Sequence, residues 1–330
     1  MEQEYKYMVV TRCFTFNHAS YIVDAMNGFT MQETTFPVIT LIVDDASTDG
    51  EQEVIKQYLA DHFQSPYRKE ETEDYHLICA NHNSNPNCTF VVFFLKYNHY
   101  SIKKPKMPYL SEWLDNAKYQ ALCEGDDYWI HPKKLQMQFD YMESHPKQDM
   151  CAHASKRTRN GRKRPNLSPR DKDCIIPIED VIMGGGGFVA TCSLMYRDRV
   201  FKPSRYVAFY GIDYAKQIQG SMNGLLYLSE PMSTYRLSTE NSWTTRMTKN
   251  PELYKQENIR IKKMLDIFNE DTNYKYSELV EKRKHIIDFT ILYSFGDIKE
   301  MKTKEYIELY MQLTFKQKIK MFLKKYFSFV

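Results

Sequence analysis

The sequence contains no Cys-x-x-Cys pair and no apolar run long enough to cross a membrane. Its seven cysteines are scattered and odd in number, a pattern that favours reduced thiols over a disulfide framework. The longest apolar stretch, residues 88–95, is far shorter than the roughly 20 residues of a spanning helix. The N-terminus carries two early acids and lacks the apolar segment of a signal peptide. We therefore expect a cytoplasmic protein that reaches a membrane, at most, as a peripheral protein on its inner face.

The chain also has little net charge. The formal net charge is +3 and the isoelectric point is near 8.3, whereas a nucleic-acid partner calls for a dominant basic surface. We therefore expect no nucleic-acid partner. Hydrophobic residues make up 42% and charged residues 26%, which is typical of globular proteins. The 330 residues have room for one large domain, or for a catalytic domain with a smaller appendage.

Strand and helix patterns alternate through the first half of the chain. Residues 7–10 and 38–43 are short apolar runs of the kind that form buried parallel strands. Between them, apolar residues recur at helical spacing over 21–29, and a second helical pattern covers 51–59. Further strand candidates are residues 77–79 and 119–123. The order predicts an α/β domain that opens with a βαβ unit, in which ligands bind beyond the carboxyl ends of the strands.

The remaining segments give a coarser prediction. Residues 84–112 hold three prolines among lysines and tyrosines and are predicted to form an irregular, loop-rich insertion. A helix is expected over 135–142, and Asn160-Gly161 is typical of a tight hairpin turn between two strands. Beyond about residue 250 the pattern is helical and charged. We therefore predict a catalytic domain at 1–248 and a helical extension at 249–330.

Three carboxylates follow the predicted strand at 119–123. The segment EGDDYW at 124–129 places Glu124, Asp126 and Asp127 within four residues, and like charges so close repel unless a cation is present. Mg²⁺ and Mn²⁺ take oxygen ligands and commonly bridge carboxylates to phosphate oxygens. One interpretation is therefore a site for a divalent ion and a diphosphate. The other is an acidic turn that caps the helix after Pro132, because carboxylates stabilise a helix N-terminus.

A second acidic pair follows the predicted strand at 38–43. Asp44 and Asp45 precede ASTDG at 46–50, a run of capping and turn residues. One interpretation is a strand-to-helix turn with Ser47 or Thr48 as the helix N-cap. In the other, a carboxylate at the carboxyl edge of the sheet accepts the ring N–H of a uracil or the hydroxyls of a ribose. The two interpretations are compatible.

These motifs, taken in order, resemble those of the family 2 glycosyltransferases. The chain has TFN at 15–17, then a helical pattern, then IVDDASTDG at 42–50 and EGDD at 124–127. They are similar to the family's T-Y-N, V-D-D-x-S-x-D and D-x-D type motifs, and the likeness covers about residues 5–245. The resemblance implies an α/β fold of the GT-A type, with a Rossmann-like mixed sheet flanked by helices and, here, a helical C-terminal extension.

The resemblance also implies a role for each matching residue. Asp45 matches the acid that contacts the nucleobase, and Asp126 matches the acid near the ribose. Asp127 matches the ligand of a divalent metal, Mn or Mg, that bridges to the diphosphate. Thr15 and Asn17 match positions at the lip of the nucleotide pocket. The nucleotide-sugar donor would therefore lie across these five residues.

The resemblance continues downstream. GGFVATCS at 186–193 is similar to the family's segment beneath the donor sugar, where Gly187 lets the backbone approach the ligand; the alternative is a flexible connector. GIDY at 211–214 matches the motif that supplies the catalytic base, which makes Asp213 the candidate base. Its alternative is an ordinary helix N-cap or first-turn acid.

The chain departs from the family after Tyr235. Arg236 can pair with a phosphate in bidentate fashion, but the family often has a histidine in the following residues that helps to hold the metal or the diphosphate. No histidine occurs at 237–243. The departure predicts weaker metal binding, or a closing loop that works differently, at this position.

The resemblance implies an inverting glycosyltransferase of the hexosyltransferase type. It would move a sugar from a nucleoside-diphosphate donor to a hydroxyl of a glycan or lipid-linked acceptor in surface polysaccharide biosynthesis. UDP is the nucleotide that the resemblance favours. A carboxylate removes the proton of the acceptor hydroxyl, and the divalent ion stabilises the departing diphosphate. Two alternatives stay open: a nucleotidyl- or phosphotransferase with the same acidic metal site, and an inactive nucleotide-sugar binding module.

Two segments of the chain are rich in basic residues. Six cations surround the hairpin turn, namely Lys156, Arg157, Arg159, Arg162, Lys163 and Arg164. They indicate either a solvated hairpin tip or a surface that binds an anionic acceptor or membrane. Residues 315–330 would form an amphipathic helix, with Phe315, Ile319, Phe322 and Tyr326 on one face and Lys316, Lys318, Lys320, Lys324 and Lys325 around it. Such a helix either lies on an anionic membrane surface or docks on its own domain.

Overall fold

The chain forms two compact units in a computed structural model that describes residues 5–201, 205, 209, 213–239, 242–319 and 321. The first unit consists of the described residues within Met1–Ile178, Gly186–Lys202 and Gln217–Thr239. The second consists of those within Glu179–Gly185, Pro203–Lys216 and Glu240–Val330. The domain boundary between 248 and 249 stays a prediction.

A mixed sheet forms the first unit, and twelve strands of it lie within the described residues. They are β1 (Tyr7–Thr15), β2 (Val38–Asp44), β3 (Arg68–Glu71), β4 (Tyr75–Asn81), β5 (Cys88–Leu95), β6 (Ala117–Leu122), β7 (Tyr128–Trp129), β8 (Met150–Arg159), β9 (Arg162–Leu167), β10 (Cys174–Ile176), β11 (Met195–Arg197) and β12 (Leu225–Leu237). The order across the sheet is β10-β12-β8-β11-β6-β1-β2-β5-β4-β3, while β7 pairs with β12 and β9 with β8.

The described helices alternate with the strands and then continue alone. They are α1 (Ile22–Thr30), α2 (Glu51–His62), α3 (Ser111–Leu114), α4 (Lys134–Glu143), α5 (Ile178–Gly184), α6 (Asp213–Gly220), α7 (Trp243–Lys249), α8 (Pro251–Asp271), α9 (Ser277–Phe295), α10 (Ile298–Met301) and α11 (Ile307–Gln312). Within the described ranges, none combines the length and the apolar character that crossing a membrane requires. The predicted α/β class, with a mixed sheet flanked by helices, is confirmed.

The centre of the sheet is parallel and buried. Strands β6, β1, β2 and β5 are parallel neighbours in that order, and β2 is buried at every position. Such strands consist of nearly continuous apolar runs because both faces are covered. The register pairs Val9 with Val38 and ends with Thr15 opposite Asp44. The carboxyl ends of β1 and β2 therefore coincide at one edge of the sheet.

The prediction of an irregular insertion at 84–112 is wrong in part. Residues Cys88–Leu95 form β5, which lies between β2 and β4, and every residue in it except Thr89 is buried. The prolines that suggested a loop, Pro86, Pro105 and Pro108, all lie outside the strand. The continuous apolar run is the usual sequence of a strand covered on both faces, so it carried the correct signal.

Two other predictions concern chain ends and turns. Strands β8 and β9 form the predicted hairpin, and Asn160 and Gly161 have φ values of 48° and 73° in its turn. This confirms the Asn-Gly turn, since a two-residue hairpin turn needs positive φ at both positions. Of the predicted C-terminal amphipathic helix, Phe315 and Ile319 are exposed. Lys316 is exposed and Lys318 is half-buried, while Lys320, Phe322, Lys324, Lys325 and Tyr326 lie outside the described residues.

Candidate functional site

The last residues of β1 join two acidic segments, residues 44–45 after β2 and residues 124–127 after β6. The backbone N–H of Asp45 donates to the carbonyl of Thr15 at 3.0 Å, and that of Gly125 donates to the carbonyl of Phe14 at 3.1 Å. The chain after β2 and the chain after β6 thus lie on either side of the end of β1. Neighbouring strands are about 4.8 Å apart, so these two backbones are roughly 10 Å apart. One ligand can span this distance.

Thr15 lies in the middle of this edge and is buried. Its hydroxyl donates a short hydrogen bond to Glu51 and lies 3.2 Å from Nδ1 of His18. The other oxygen of Glu51 accepts from the backbone N–H of His18 and from the hydroxyl of Ser47, both at 2.8 Å. Burial raises the pKa of Glu51 in spite of these bonds. Glu51 therefore ties the loop after β1 to the loop after β2.

Asn17 joins the same two loops. It has a φ of 57°, a left-handed conformation that asparagine tolerates better than most residues. Its backbone N–H donates to the hydroxyl of Ser47 at 2.8 Å, and its side-chain oxygen accepts from the backbone N–H of Thr48 at 2.8 Å. Asn17 thus reinforces the connection that Glu51 makes.

Asp45 is buried and fixes a loop that follows β5. One carboxylate oxygen accepts from the backbone N–H of His99 at 2.7 Å. The other accepts from the backbone N–H of Tyr100 at 3.1 Å and from Nζ of Lys106 at 2.7 Å. A carboxylate offers about four acceptor positions, and these bonds use three of them. Asp45 therefore holds the loop at 97–106 against the end of β2.

The neighbouring Asp44 is engaged differently. One of its oxygens accepts from the backbone N–H of Ser47 at 3.1 Å and from the amide of Gln52 at 2.6 Å. The other oxygen is buried and has no hydrogen-bond partner among the residues that the structure describes. Burial raises the pKa of Asp44 above its usual range. Asp44 thus shapes the turn into α2. The predicted N-cap is wrong, because Gly50 and not Ser47 or Thr48 holds that position.

Asp127 is buried beside the end of β12. Its Oδ1 accepts from the backbone N–H of Arg236 at 2.8 Å. Burial raises the pKa of Asp127 well above its usual range, and the negative charges of Asp126 and Glu124 raise it further. A nearby cation would reverse both effects, because it stabilises the ionised carboxylate.

Arg236 is held by groups of the protein itself. One terminal nitrogen of its guanidinium donates to the backbone carbonyl of Asp126 at 2.9 Å, and the other makes a short ion pair with Asp24. The guanidinium also lies over the rings of Tyr21 at 5.1 Å and Tyr128 at 4.4 Å. In this arrangement Arg236 braces the acidic segment against α1.

Asp126 and Gly187 are the remaining predicted donor residues. The hydroxyl of Thr239 donates to Oδ2 of Asp126 at 2.6 Å, so the chain beyond β12 contacts this carboxylate directly. Gly187 lies exposed in the turn that precedes the single 3₁₀ turn Thr191–Ser193. A Cβ atom added to Gly187 would meet no heavy atom within 4 Å. Open space therefore adjoins the backbone at Gly187.

Asp213 lies in the second unit and is the first residue of α6. Its side chain is 39% exposed and forms an ion pair of 3.2 Å with Lys216, one helical turn away. The two residues before it in the predicted motif, Gly211 and Ile212, lie outside the described residues. The structure thus agrees with the first-turn position that the ordinary interpretation of Asp213 requires, and its role as catalytic base stays a prediction.

The residues fit a metal ion that is shared with a ligand. Among the described residues, no three His, Cys, Asp or Glu side chains are grouped as a ready-made cage. Asp127 and Asp126 nevertheless place two carboxylates in sequence, one of them buried with a raised pKa. Mg²⁺ is commonly bound by one or two carboxylates together with substrate phosphates. The donor set suits a hard divalent cation in the company of a diphosphate.

The sequence interpretation missed several residues of this site. Glu51 could have been found from Thr48-x-x-Glu51, a capping-box spacing, although the structure uses Glu51 across two loops. Lys106 lay in a segment predicted to be irregular, so no periodic signal marked it. Asp24 lies in α1 and Tyr21 directly precedes it; the apolar spacing over 21–29 predicts a helix but not its contact with the site. Each reaches the site only through tertiary packing.

Two solved glycosyltransferase structures are similar to the chain. TarS residues 1–349 of S. aureus, solved with UDP-GlcNAc, gives a TM-score of 0.52 and 15% identity, covering 95% of this chain and 79% of that one. The mannosyltransferase PcManGT of Pyrobaculum calidifontis, solved with GDP-Man and Mn²⁺, gives a TM-score of 0.50 and 10% identity, covering 98% and 88%. The chain therefore has a GT-A-like glycosyltransferase fold.

Sequence comparison finds relatives whose function is not characterized. No family model matches the chain. An uncharacterized protein of Mycobacterium tuberculosis is 26% identical over 236 residues, or 71% of this chain. An uncharacterized protein of Mycobacterium bovis matches to the same extent. The chain spans about 60% of the length of these curated relatives.

Proposed function

We propose that the protein transfers a sugar from a nucleoside-diphosphate donor to an acceptor hydroxyl. The observation that carries the proposal is the meeting of two acidic segments at the end of β1, where Asp45 and Gly125 bond to Thr15 and Phe14. The GT-A-like fold supports it, because ligands of open α/β sheets bind beyond the carboxyl ends of the strands. The solved structures of similar fold contain UDP-GlcNAc in one case and GDP-Man in the other.

We propose that Asp127, with Asp126 beside it, holds Mn²⁺ or Mg²⁺ against the donor diphosphate. The solved mannosyltransferase of similar fold contains Mn²⁺. When bound, the ion would stabilise the negative charge that gathers on the departing nucleoside diphosphate. The residues of this chain would do the rest: Asp45 and the loop it fixes border the nucleobase, Thr15 and Asn17 shape the lip of the pocket, and Gly187 lets the backbone approach the sugar.

We propose Asp213 as the general base. An acceptor hydroxyl loses its proton as it attacks the anomeric carbon, and a carboxylate within hydrogen-bond reach accepts that proton. Direct attack from the side opposite the diphosphate inverts the anomeric carbon. This role rests on the resemblance of the motifs. The same resemblance is the basis for the assignment to family 2, for inversion, for a hexosyl donor, for UDP as the nucleotide and for a role in surface polysaccharide biosynthesis.

We also propose a peripheral location on the inner face of the cell membrane. The exposed side chains of Phe315 and Ile319 support it, since Phe315 is 79% exposed to solvent. Lys316 is exposed beside them, and lysines flanking an apolar face favour anionic lipid. A glycan or lipid-linked acceptor would then be within reach of the enzyme.

The test is release of nucleoside diphosphate from UDP-GlcNAc and GDP-Man in the presence of Mn²⁺. We expect slow release by the wild type with one of the two donors. Asp213→Asn is expected to lower this rate by about 100-fold or more without changing donor binding, because the variant lacks only the base. Glu278→Gln, at an exposed acid of the same unit, is the control and should retain the rate.

Other outcomes identify the alternatives. Full activity of Asp213→Asn together with release of nucleoside monophosphate and sugar 1-phosphate would indicate attack on the diphosphate, as in a nucleotidyl- or phosphotransferase. Donor binding with no turnover by the wild type would indicate a nucleotide-sugar binding module. Absence of any binding would remove the proposed donor site altogether.

A further inference from the structure

The hairpin of β8 and β9 carries a cluster of six cations with no acidic partners. We call the segment 156–164 the basic ribbon; its cations are Lys156, Arg157, Arg159, Arg162, Lys163 and Arg164. Among the described residues, none of the six forms an ion pair with an acid. All but Arg157 are exposed. The ribbon therefore presents charge that the protein itself does not neutralise.

The register of the ribbon places arginines directly opposite each other. Arg157 pairs with Arg164, and Arg159 pairs with Arg162. Because side chains alternate between the faces of a strand and cross-strand partners share a face, these four arginines lie on one face. Like charges opposite each other destabilise a hairpin. A bound anion would turn this repulsion into attraction, whereas a solvated tip gains nothing from it.

The ribbon is continuous with the candidate site. Strand β8 is the parallel neighbour of β12, and Thr158 is the register partner of Arg236. Arg236 in turn bonds to Asp127. At the usual spacing of strands, the backbone of the ribbon begins about 5 Å from that of Arg236. A polymer bound along the ribbon would therefore extend to β12, the strand that carries Arg236.

The chemistry of the ribbon favours a polyanion over a membrane. Guanidinium groups bind phosphate and carboxylate with two parallel hydrogen bonds. Proteins that lie on membranes also insert apolar side chains, but within the described residues no large apolar side chain is exposed between Met107 and Ile175. The ribbon therefore exposes charged side chains and no large apolar side chain that could insert into a membrane.

We propose that the basic ribbon binds an anionic acceptor polymer, one that bears phosphate or carboxylate groups, and guides it to the candidate site. The proposal rests on the transferase function proposed above. It assigns the class of the acceptor, which the donor-site residues leave open.

The experiment measures binding of long-chain inorganic polyphosphate, polygalacturonate, neutral dextran, and vesicles of phosphatidylcholine and phosphatidylglycerol at physiological ionic strength. The test variant combines Arg159→Gln with Arg162→Gln. The control variant combines Lys69→Gln with Lys147→Gln, which removes the same charge at exposed positions outside the ribbon. A third variant, Arg159→Lys with Arg162→Lys, keeps the positive charge but removes the two parallel hydrogen bonds that a guanidinium can donate. Circular dichroism checks that each variant is folded.

We expect the wild type to bind polyphosphate or polygalacturonate and not dextran. The glutamine variant should bind the polymer about tenfold more weakly or worse, the control should match the wild type, and the lysine variant should fall between them. Preference between the two polymers identifies the anionic group. Equal weakening in the control, absence of polymer binding, or binding of the vesicles alone would overturn the proposal.

A separate measurement keeps the two proposals apart. Thermal stabilisation by UDP-GlcNAc or GDP-Man with Mn²⁺ is recorded for every variant and should be the same in all of them. Absence of polymer binding by the wild type, with intact donor stabilisation, would contradict the ribbon proposal alone. Polymer binding without any donor stabilisation contradicts the transferase function and leaves the ribbon as a polyanion-binding surface.

Discussion

The backbone N–H of Arg236 donates a hydrogen bond of 2.8 Å to Oδ1 of Asp127, although 109 residues separate the two in the chain. Asp127 is buried and its pKa is raised well above the usual range, so the ionised form is costly until a cation is bound. An amide at this position would retain the oxygen that Arg236 requires. The structural and the metal-binding roles of Asp127 can therefore be separated.

Asp127→Asn is expected to fold normally and to lose activity. The amide oxygen still accepts from Arg236, so the melting temperature should be unchanged or higher. Release of nucleoside diphosphate in Mn²⁺ should fall by about 100-fold or more, because the ligand of the ion is lost. Calorimetry and the release assay measure the two effects. Normal turnover by the folded variant would remove Asp127 from the metal site.

Donor binding is expected to depend on the divalent ion. Glu124, Asp126 and Asp127 place negative charge where a diphosphate would lie, and a cation is needed to reverse the repulsion. UDP or GDP should raise the melting temperature in Mn²⁺, and affinity should fall by about tenfold or more after EDTA is added. Equal affinity with and without the ion would contradict a shared metal site.

Glu51 is expected to be essential for the loops around the donor site. Its carboxylate accepts from Thr15, His18 and Ser47, and Glu51→Ala leaves these donors without their partner. We expect a loss of about 3 kcal/mol in the free energy of unfolding, measured by urea denaturation, and weaker donor binding. Glu53→Ala is the matched control, since Glu53 is exposed on the same helix and pairs with Lys56 at 3.7 Å. Its effect should be within about 0.5 kcal/mol.

Two glycine substitutions are expected to separate fold from ligand approach. A Cβ atom at Gly125 would lie 2.1 Å from the hydroxyl oxygen of Thr15, so Gly125→Ala should cost about 2 kcal/mol or more through overpacking. Gly187 has open space around the position of a Cβ atom, so Gly187→Ala should leave the melting temperature unchanged. The KM for the donor should still rise if the backbone touches the sugar. An unchanged KM would exclude Gly187 from the donor site.

Lys134 provides a prediction about pH. It is fully buried, its Nζ lies 3.8 Å from the centre of the Trp129 ring, and it has no hydrogen-bond partner among the described residues. Burial lowers the pKa of Lys134 to about 7 from an ordinary 10.5. The unfolded chain therefore holds this proton more tightly. The cost of burial is fully present below about pH 7 and declines as the pH rises towards 10.5.

Lys134→Met is therefore expected to stabilise the protein, and more so at low pH. The gain in the free energy of unfolding should be larger at pH 6 than at pH 9.5 by roughly 3 kcal/mol. Denaturation at the two pH values measures the difference. Lys133→Met, at an exposed neighbour, should show no such dependence. A gain that does not vary with pH would mean that Lys134 is solvated.

Local sequence patterns predicted most of the strands and helices, but not the contacts that these elements make. Residues 7–10, 38–43 and 77–79 lie in β1, β2 and β4, as predicted, and β6 covers 119–122 of the predicted 119–123, because short apolar runs bounded by polar residues define buried strands. Strand β5 was not predicted, because the prolines on either side of it indicate a loop. The motifs led to the GT-A-like fold, which the solved structures confirm. The roles of Asp45, Asp126, Asp127 and Asp213 stay predictions.

The sequence by itself determined which segments form strands and helices and which carboxylates follow the strands, since both depend on neighbours within a few residues. Only the tertiary structure decided that β1 lies between β2 and β6, that Asp45 secures the loop around Lys106, and that Arg236 reaches Asp127. These contacts join residues 61 and 109 positions apart. Hydrogen bonds at such separation depend on how strands are ordered in the sheet, and no local pattern of residues encodes that order.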